Sequence, residues 1–344
     1  MYRIDVPEKV EHIIDTLTAA GHEAYAVGGC VRDALLGREP ADWDITTSAS
    51  PYEVKALFSR TIDTGIQHGT VTVMMDKEGF EVTTYRIDGD YKDGRHPSEV
   101  TFTASLKEDL RRRDFTINAM MQDVLTGEII DHFGGQEDLK KGVLRHVNPH
   151  TFAEDPLRVL RAAQFAARFS FSIAPETIEL SQTMDLTTLA HERVMSELEK
   201  ALLKAAHPSI FFEQMHKMNQ LDDWFLHLTQ LIGVKQPEKY HPEGDVWNHT
   251  MQVLDSAALL RSKAENPLGF MLTAVVHDFG KIISTTEENG EIHSYEYNTP
   301  VRGDVDVAEV ILDQAGNFKI VDKLPGNCSM ISKDVWGIKT LQFT

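Results

Sequence analysis

The segment AYAVGGCVRDALLGREPADWDITTS, residues 24–48, restricts the fold more tightly than any other part of the chain. EAYAVGG reads as a short strand entering a glycine turn, VRDALLG as a helix stopped by Gly37, and DWDITT as a second strand. Side chains alternate along a strand, so Asp42 and Asp44 share one face while Trp43 points to the other. The two carboxylates then lie about 7 Å apart along the strand and repel, a cost that a cation between them relieves. The turn at Gly28-Gly29 leaves backbone N–H groups free at an electropositive helix start, a setting that suits phosphate.

Arg32, in the first turn of that helix, is suited to bidentate pairing with phosphate oxygens. Asp42 and Asp44 are hard oxygen donors appropriate to Mg²⁺, and Glu81, on a later strand, is a candidate third carboxylate. A phosphate cradle beside two or three carboxylates is what two-metal displacement at phosphorus requires. Taken singly, a Gly-Gly turn or an Asp-x-Asp pair is also ordinary loop chemistry. Their order and closeness argue for a site.

Further along, SPYEVKALF begins a helix with a Ser-Pro cap, and TVTVMM and FEVTTYR alternate like paired strands joined by a turn at DKEG. IDGDYKDGRHPSEV is polar and rich in Gly and Asp, and reads as a mobile loop. From Phe152 the period changes to helical: LRVLRAAQFAARF, PETIELSQTM and ERVMSELEKALLKA each read as helices, and the chain is expected to stay mostly helical to about residue 325. There is no internal repeat.

A chain of 344 residues suggests two or three domains, and 42% hydrophobic with 25% charged residues fits a soluble globular protein. No apolar run is long enough to span a bilayer, and MYRIDVPEKVEHIIDTL reads as a capped amphipathic helix instead of a signal peptide. Cys30 and Cys328 imply no disulfide framework, which fits a reducing cytoplasm. The net charge of −19 argues against a nucleic-acid partner, because phosphate backbones need local positive potential. Basic residues nevertheless cluster at 111–113, at 140–141 and along Arg158, Arg161 and Arg168, so a basic cleft remains compatible with the overall charge.

GGCVRDALLGREPADWDITT resembles the signature of class II template-independent nucleotidyltransferases, the bacterial CCA-adding enzymes and poly(A) polymerases. Four blocks follow in that family's order: RRRDFTINAM at 111–120 resembles the ribose-reading motif, and DHFGGQEDL at 131–139 the hinge motif with Asp131, Gly135 and Asp138. AEDPLRVLRA at 153–162 resembles the nucleobase-reading helix, and ERVMSELEKALL at 192–203 the neck helix after it. The resemblance implies that Asp42 and Asp44, helped by Glu81, hold Mg²⁺, while Gly28, Gly29, Arg32 and Asp33 position the triphosphate and its metal. It implies that Arg113 and Asp114, supported by Asn118, contact the sugar, and that Asp155 and Arg158 hydrogen-bond the edge of the incoming base. Spacing agrees for that last pair, since residues three apart share one helix face. YRIDGDYKDGRHPSEVTF looks like the flexible loop of CCA- or A-adding enzymes, whereas the poly(A) polymerases carry a basic, aromatic segment there.

HPEGDVWNHTMQVLD at 241–255 and VVHDFGK at 275–281 resemble the HD superfamily of metal-dependent phosphohydrolases. That resemblance implies a site for a second divalent transition metal at His249, His277 and Asp278, with Lys281 near phosphate. Tyr297 stands where relatives with H-x-Y-E-H carry a further histidine, and the last residues, GNCSMISKDVWGIKTLQFT, do not resemble the helices expected to supply a final aspartate.

The fold expected is α+β: a mixed-sheet nucleotidyltransferase head over 1–146, an all-helical neck and body over 147–232, and a helical HD-like domain over 233–344. The function expected is addition of CCA or the terminal A to tRNA 3′ ends from CTP and ATP, in the cytoplasm, with no membrane partner and an undetermined oligomeric state. The alternatives are poly(A) polymerase and an HD-type phosphohydrolase acting on nucleotides or RNA 2′,3′-cyclic phosphate ends. A non-catalytic HD remnant used for RNA docking or dimerisation is a further one.

Overall fold

Val10, Ile13, Ile14 and Leu17 give the first helix, α1 (Glu8–Ala19), one apolar face, and all four are buried. The computed structural model describes residues 4–88, 100–103, 105–288 and 291–294, with the backbone of 308–312, 318–323, 334–335 and 338–339. Most of the expected flexible loop, together with Tyr297 and Cys328, lies outside the described residues. The chain divides into two compact units, Met1–Arg158 with Ser172–Leu180, and Val159–Phe171 with Ser181–Thr344.

In the first unit, β1 (Ala24–Val27) runs through Gly28 into α2 (Gly29–Leu35), and β2 (Asp44–Thr47) returns beside it. The strand read as DWDITT thus begins only at Asp44, with Asp42 in the approach to it. A capping box opens α3 (Pro51–Leu57): Ser50 N–H donates to Glu53 Oε2 at 2.7 Å, and Glu53 N–H to Ser50 Oγ at 3.3 Å. β3 (Thr61–Gly65), β4 (Thr70–Met75) and β5 (Glu78–Thr84) follow. Asp76 and Lys77 both take positive φ between β4 and β5, the left-handed turn that matches the twist of paired strands.

β6 (Arg86–Asp88) pairs with β7 (Val100–Phe102), and α4 (Leu106–Arg111), β8 (Met120–Gln122), β9 (Ile129–Asp131) and α5 (Gly135–Lys141) come next. The main sheet has the order β3-β4-β5-β2-β1-β8-β9. β2 and β5 are parallel, and every other neighbouring pair is antiparallel. Ile45, Val82, Val27 and Met121 are buried residues of this sheet, and Leu110 of α4 clusters with Val27 and Met121, so the strands flanking Asp44 are held in the core.

The DHFGGQEDL block serves a local structural purpose. Asp131 Oδ1 accepts from the Phe133 and Gly135 N–H groups and Oδ2 from that of Gln136, so one carboxylate satisfies the start of α5. Asp138 accepts from Thr116 Oγ1 at 2.7 Å. A Cβ on Gly135 would lie 2.3 Å from the Thr116 carbonyl oxygen, so only glycine lets the helix approach the Thr116–Asn118 turn this closely.

The expected base-reading helix is not continuous. β10 (Val143–Leu144) leads to α6 (Pro149–Glu154), which stops before Asp155, and α7 (Leu157–Phe169) starts after Pro156. A residue preceding proline is pushed out of the helical region, and Asp155 accordingly sits at φ −120°, ψ 97°. Asp155 and Arg158 therefore do not share a helix face, as their spacing had suggested; Asp155 Oδ1 instead accepts from the Leu157 N–H at 3.1 Å. β11 (Ser172–Ile173) pairs in parallel with β10, and α8 (Pro175–Ser181) follows.

The second unit is built on α9 (His191–Lys204), α10 (Ser209–Lys217), α11 (Asp222–Thr229), α12 (Val246–Ala258), α13 (Pro267–Val276) and the short α14 (Lys281–Ser284). Phe211, Phe212 and Phe225 meet edge to face at its centre, with ring centroids 5.2 to 5.9 Å apart. The expectation of helix to about residue 325 fails after Ser284. β12 (Thr285–Glu288) pairs with β13 (Glu291–Ser294), and β14 (Ala308–Leu312) with β15 (Phe318–Lys323). The polar TTEENGEIH run thus contributes two paired strands, which helical period-counting overlooks although the Asn-Gly of the sequence is a strong turn signal.

Gly135→Ala is expected to destabilise the protein by about 2–3 kcal/mol in urea denaturation, because its Cβ meets backbone that cannot move aside. Gly134→Ala, opposed only by a φ of +78°, is expected to cost about 1 kcal/mol. Equal costs at the two positions would contradict the close-approach argument.

Candidate active site

β2 opens on Asp44, which faces Val27 of β1, and the parallel register Ile45↔Val82 carries Glu81 of β5 alongside it. Exposed Asp42, buried Trp43 and exposed Asp44 keep the alternation read from the sequence. Asp44 reaches solvent but is ringed by protein atoms. Burial pushes its carboxyl up to about 6, the Arg113 guanidinium opposing the rise and the negative charges of Asp42 and Glu81 adding to it. Neighbouring hard oxygen donors of this type are the chemistry a divalent ion such as Mg²⁺ prefers, although their ligand atoms are not drawn together within 4.8 Å as those of the histidine cluster are.

Gly28, at φ +84° and ψ −124°, turns the chain from β1 into α2. Its N–H donates to the Met120 carbonyl at 3.0 Å. A Cβ there would meet Arg113 Nη1 at 3.0 Å, so the bare glycine lets the guanidinium lie against the turn. Arg113 Nε is buried and has no hydrogen-bond partner among the described residues. Cys30, in the same turn, has its thiol pushed up to about 12 by burial, with the Asp44 charge adding to the rise. It is an inert packing residue.

Arg32 is buried and bound within the protein. Its Nε donates to Asp33 Oδ1 at 2.8 Å and its Nη1 to Asn118 Oδ1 at 2.5 Å. Asn118 Nδ2 in turn donates to Asp114 Oδ1 at 3.0 Å. Asp33, Arg32, Asn118 and Asp114 thus form one chain that ties the glycine turn to the ribose-motif segment. Arg158, also buried, donates from Nη1 to the Thr151 carbonyl at 2.6 Å and from Nη2 to the Arg112 carbonyl at 2.8 Å.

Asp109 on α4 was not among the residues the sequence singled out. Wholly buried, it accepts from Thr46 Oγ1 at 3.2 Å, from the Arg86 N–H at 3.2 Å and from Arg112 Nε at 3.0 Å, and lies 3.8 Å from Arg113 Nη2. Its signal was available: an acid three and four residues ahead of an arginine run has helix-pair spacing. Burial alone would raise the Asp109 carboxyl, but the Arg112 and Arg113 charges and the Arg86 N–H outweigh it and hold the group below its ordinary value.

In the second unit, His249, His277 and Asp278 do come together, joined by two residues not singled out for this role, His241 and Glu243. His249 Nδ1 lies 2.6 Å from Glu243 Oε1, and His277 Nδ1 lies 2.8 Å from the Ala274 carbonyl. Both partners are acceptors, so each imidazole donates from Nδ1, and in the neutral ring Nε2 is then the atom left to accept. Those Nε2 atoms lie 3.9 and 3.5 Å from Asp278 Oδ2. Lys281 Nζ is 2.8 Å from the same oxygen.

The Poly A polymerase head domain family matches residues 24–145. The CCA-adding enzyme of Lactiplantibacillus plantarum is 41% identical over 302 residues, an alignment covering 83% of this chain and 72% of that protein. That of Lactobacillus helveticus is 35% identical over 333 residues, covering 93% and 83%. Against the Enterococcus faecalis CCA-adding enzyme the identity is 50% over 195 residues, 56% of this chain and 48% of the relative. The chain thus spans most of some relatives and about half of others. Among solved structures, the Bacillus stearothermophilus CCA-adding enzyme in complex with CTP matches with a TM-score of 0.57 at 30% identity, covering 79% of each chain. A tRNA nucleotidyltransferase complexed with a primer tRNA and an incoming ATP analog matches with a TM-score of 0.57 at 30% identity, covering 77% of this chain and 75% of that one. No helix among the described residues is long and apolar enough to cross a membrane.

Because the folded Asp109 carboxyl titrates below its ordinary value, it contributes stability above about pH 4 that is lost as pH falls through the folded value. Asp109→Asn is therefore expected to cost about 3 kcal/mol at neutral pH. The gap from wild type should narrow on acidification. Urea denaturation of both proteins at several pH values checks this, and a gap that widens toward acid would contradict it.

Proposed function

The chain belongs to the CCA-adding enzyme family, and from that premise we infer that it adds CCA, or the terminal A, to tRNA 3′ ends using CTP and ATP. The observation that carries this reading to these residues is the grouping of Asp42, Asp44 and Glu81 beside a glycine bend crossed by a half-buried arginine. Asp42 and Asp44, with Glu81 beside them, would hold Mg²⁺. When bound, that ion supplies charge neutralisation at the α-phosphate and favours ionisation of the attacking RNA 3′-hydroxyl.

The remaining steps belong to side chains and backbone. Gly28 and Gly29 let a triphosphate approach the main chain, with Arg32 and Asp33 bracing the bend from beneath. Arg113, whose Nη1 lies against the Gly28 turn, would face the sugar side of the nucleotide, with Asp114 and Asn118 fixing the segment that carries it. Asp155 and Arg158 would read the base edge, protein standing in for a nucleic-acid template. Two of the five Arg158 donors are taken by carbonyls, which fixes the guanidinium plane. Three functional blocks follow, a head over 1–146, a neck and body over 147–232 and an HD-like segment over 233–344, working in the cytoplasm.

A second reading concerns the histidine cluster, favoured by its tautomers. His249 and His277 present Nε2 toward Asp278, and Glu243 orients His249 from behind, the arrangement of a carboxylate–histidine–metal site. A divalent transition metal there would support phosphodiester hydrolysis, for example at RNA 2′,3′-cyclic ends.

Two experiments separate these activities. Transcripts ending at the discriminator base, at C or at CC are incubated with CTP or ATP. Extension of the first by CTP is expected, and long A tails would point instead to a poly(A) polymerase. Asp42→Ala and Asp44→Ala should each reduce incorporation by about a thousandfold or more. For the cluster, Co²⁺ titration should give one equivalent with d–d absorption that His249→Ala abolishes and His241→Ala keeps. Retention of no cobalt by wild type would reject a metal there.

A further inference from the structure

We propose that Asp109 is a positioning residue of the nucleotidyl-transfer site: one buried carboxylate fixes Arg113 against the glycine turn and, through the Arg112 main chain, steadies Arg158. The proposal rests on the function inferred above. Its basis is the number of separate segments that converge on two oxygens. Oδ1 accepts from the Arg86 N–H of β6 and from Arg112 Nε. Oδ2 accepts from Thr46 Oγ1 of β2 and faces Arg113 Nη2. Thr46 lies two residues beyond Asp44 on the same strand, so the carboxylate is bonded directly to the strand that carries the proposed metal ligand.

The geometry is fixed by helix spacing. Arg112 and Arg113 follow Asp109 by three and four residues, the positions a helical side chain reaches. Asp109 is also the strongest negative charge acting on Arg113, ahead of Asp44 and Asp114. Removing it leaves the half-buried guanidinium drawn toward Asp44, a carboxylate the reaction needs for another purpose. Meanwhile Arg112, released from Asp109, carries the carbonyl that accepts from Arg158 Nη2. Asp109 touches none of the reacting groups and acts through its two arginines.

The test is a double-mutant cycle on the full chain with Asp109→Asn, Arg113→Lys and both together, reading equilibrium binding of ATP and CTP with Mg²⁺ and the steady-state constants on tRNA. Asp109→Asn is expected to weaken both nucleotides about tenfold, raise KM more than it lowers kcat, and reduce the preference for ATP over dATP. The double variant is expected to bind within about twofold of Arg113→Lys alone, because the two residues act as one unit. Folded Asp109→Asn protein that binds within about twofold of wild type would overturn the proposal, as would additive losses in the cycle. If Asp109→Asn does not fold, Thr46→Val, which deletes one donor to the carboxylate, should weaken binding about threefold. Unchanged binding in that variant would then overturn the proposal. Wild type that binds ATP yet extends no tRNA would refute the proposed function, while the binding cycle would still judge Asp109.

Discussion

Desolvation of a carboxylate beside two others, at one end of a parallel strand pair, is the constraint on which the rest of the first unit depends. β2 and β5 run in register, so Asp44 and Glu81 end side by side, and Asp42 adds a third negative charge just before the strand. A sheet left to its own energetics has no reason to gather such charges, and the Asp44 carboxyl is shifted upward, by burial first and by the Asp42 and Glu81 charges as smaller additions. One half-buried arginine, laid across a glycine that has no side chain to block it, offsets part of the cost. What remains is a concentration of negative charge of the kind a divalent cation would neutralise.

The surrounding structure is organised to keep that arrangement rigid. Arg32, Asp33, Asn118 and Asp114 form one hydrogen-bonded chain beneath the glycine turn, and Asp109 forms a second hub beside β2. Farther out, Asp131, Gly135 and Asp138 seat α5 against the Thr116–Asn118 turn. Buried ionic groups are costly when left unpaired, and in both networks each charge lies against an opposite one or a hydrogen-bond donor. Pre-organisation of this kind lets a transferase hold a nucleotide without rebuilding its own site at each turnover.

Much of this was legible in the sequence, for reasons that differ by element. Period-two alternation around Trp43 placed Asp42 and Asp44 together, and the Ser-Pro cap and the Asp-Lys turn announced α3 and the β4–β5 hairpin. The sheet order was not legible. Glu81 reaches Asp44 only because β5 inserts next to β2, a non-local pairing that no local pattern encodes. Asp155 and Arg158 were misplaced because spacing was counted through Pro156, which breaks the helix. Arg32 was read as an open phosphate ligand, and burial and its internal partners emerge only in three dimensions. The histidine cluster came half from motif and half from fold: His277-Asp278 was evident, whereas Glu243, six residues before His249, joins it through a turn.

The most direct measurement is a crystal structure of the protein soaked with ATP and Mn²⁺, read by anomalous scattering. The account predicts a manganese peak within about 2.2 Å of carboxylate oxygens of both Asp42 and Asp44, with the triphosphate over Gly28 and Gly29. Manganese and nucleotide lodged elsewhere, with neither aspartate in contact, would contradict it.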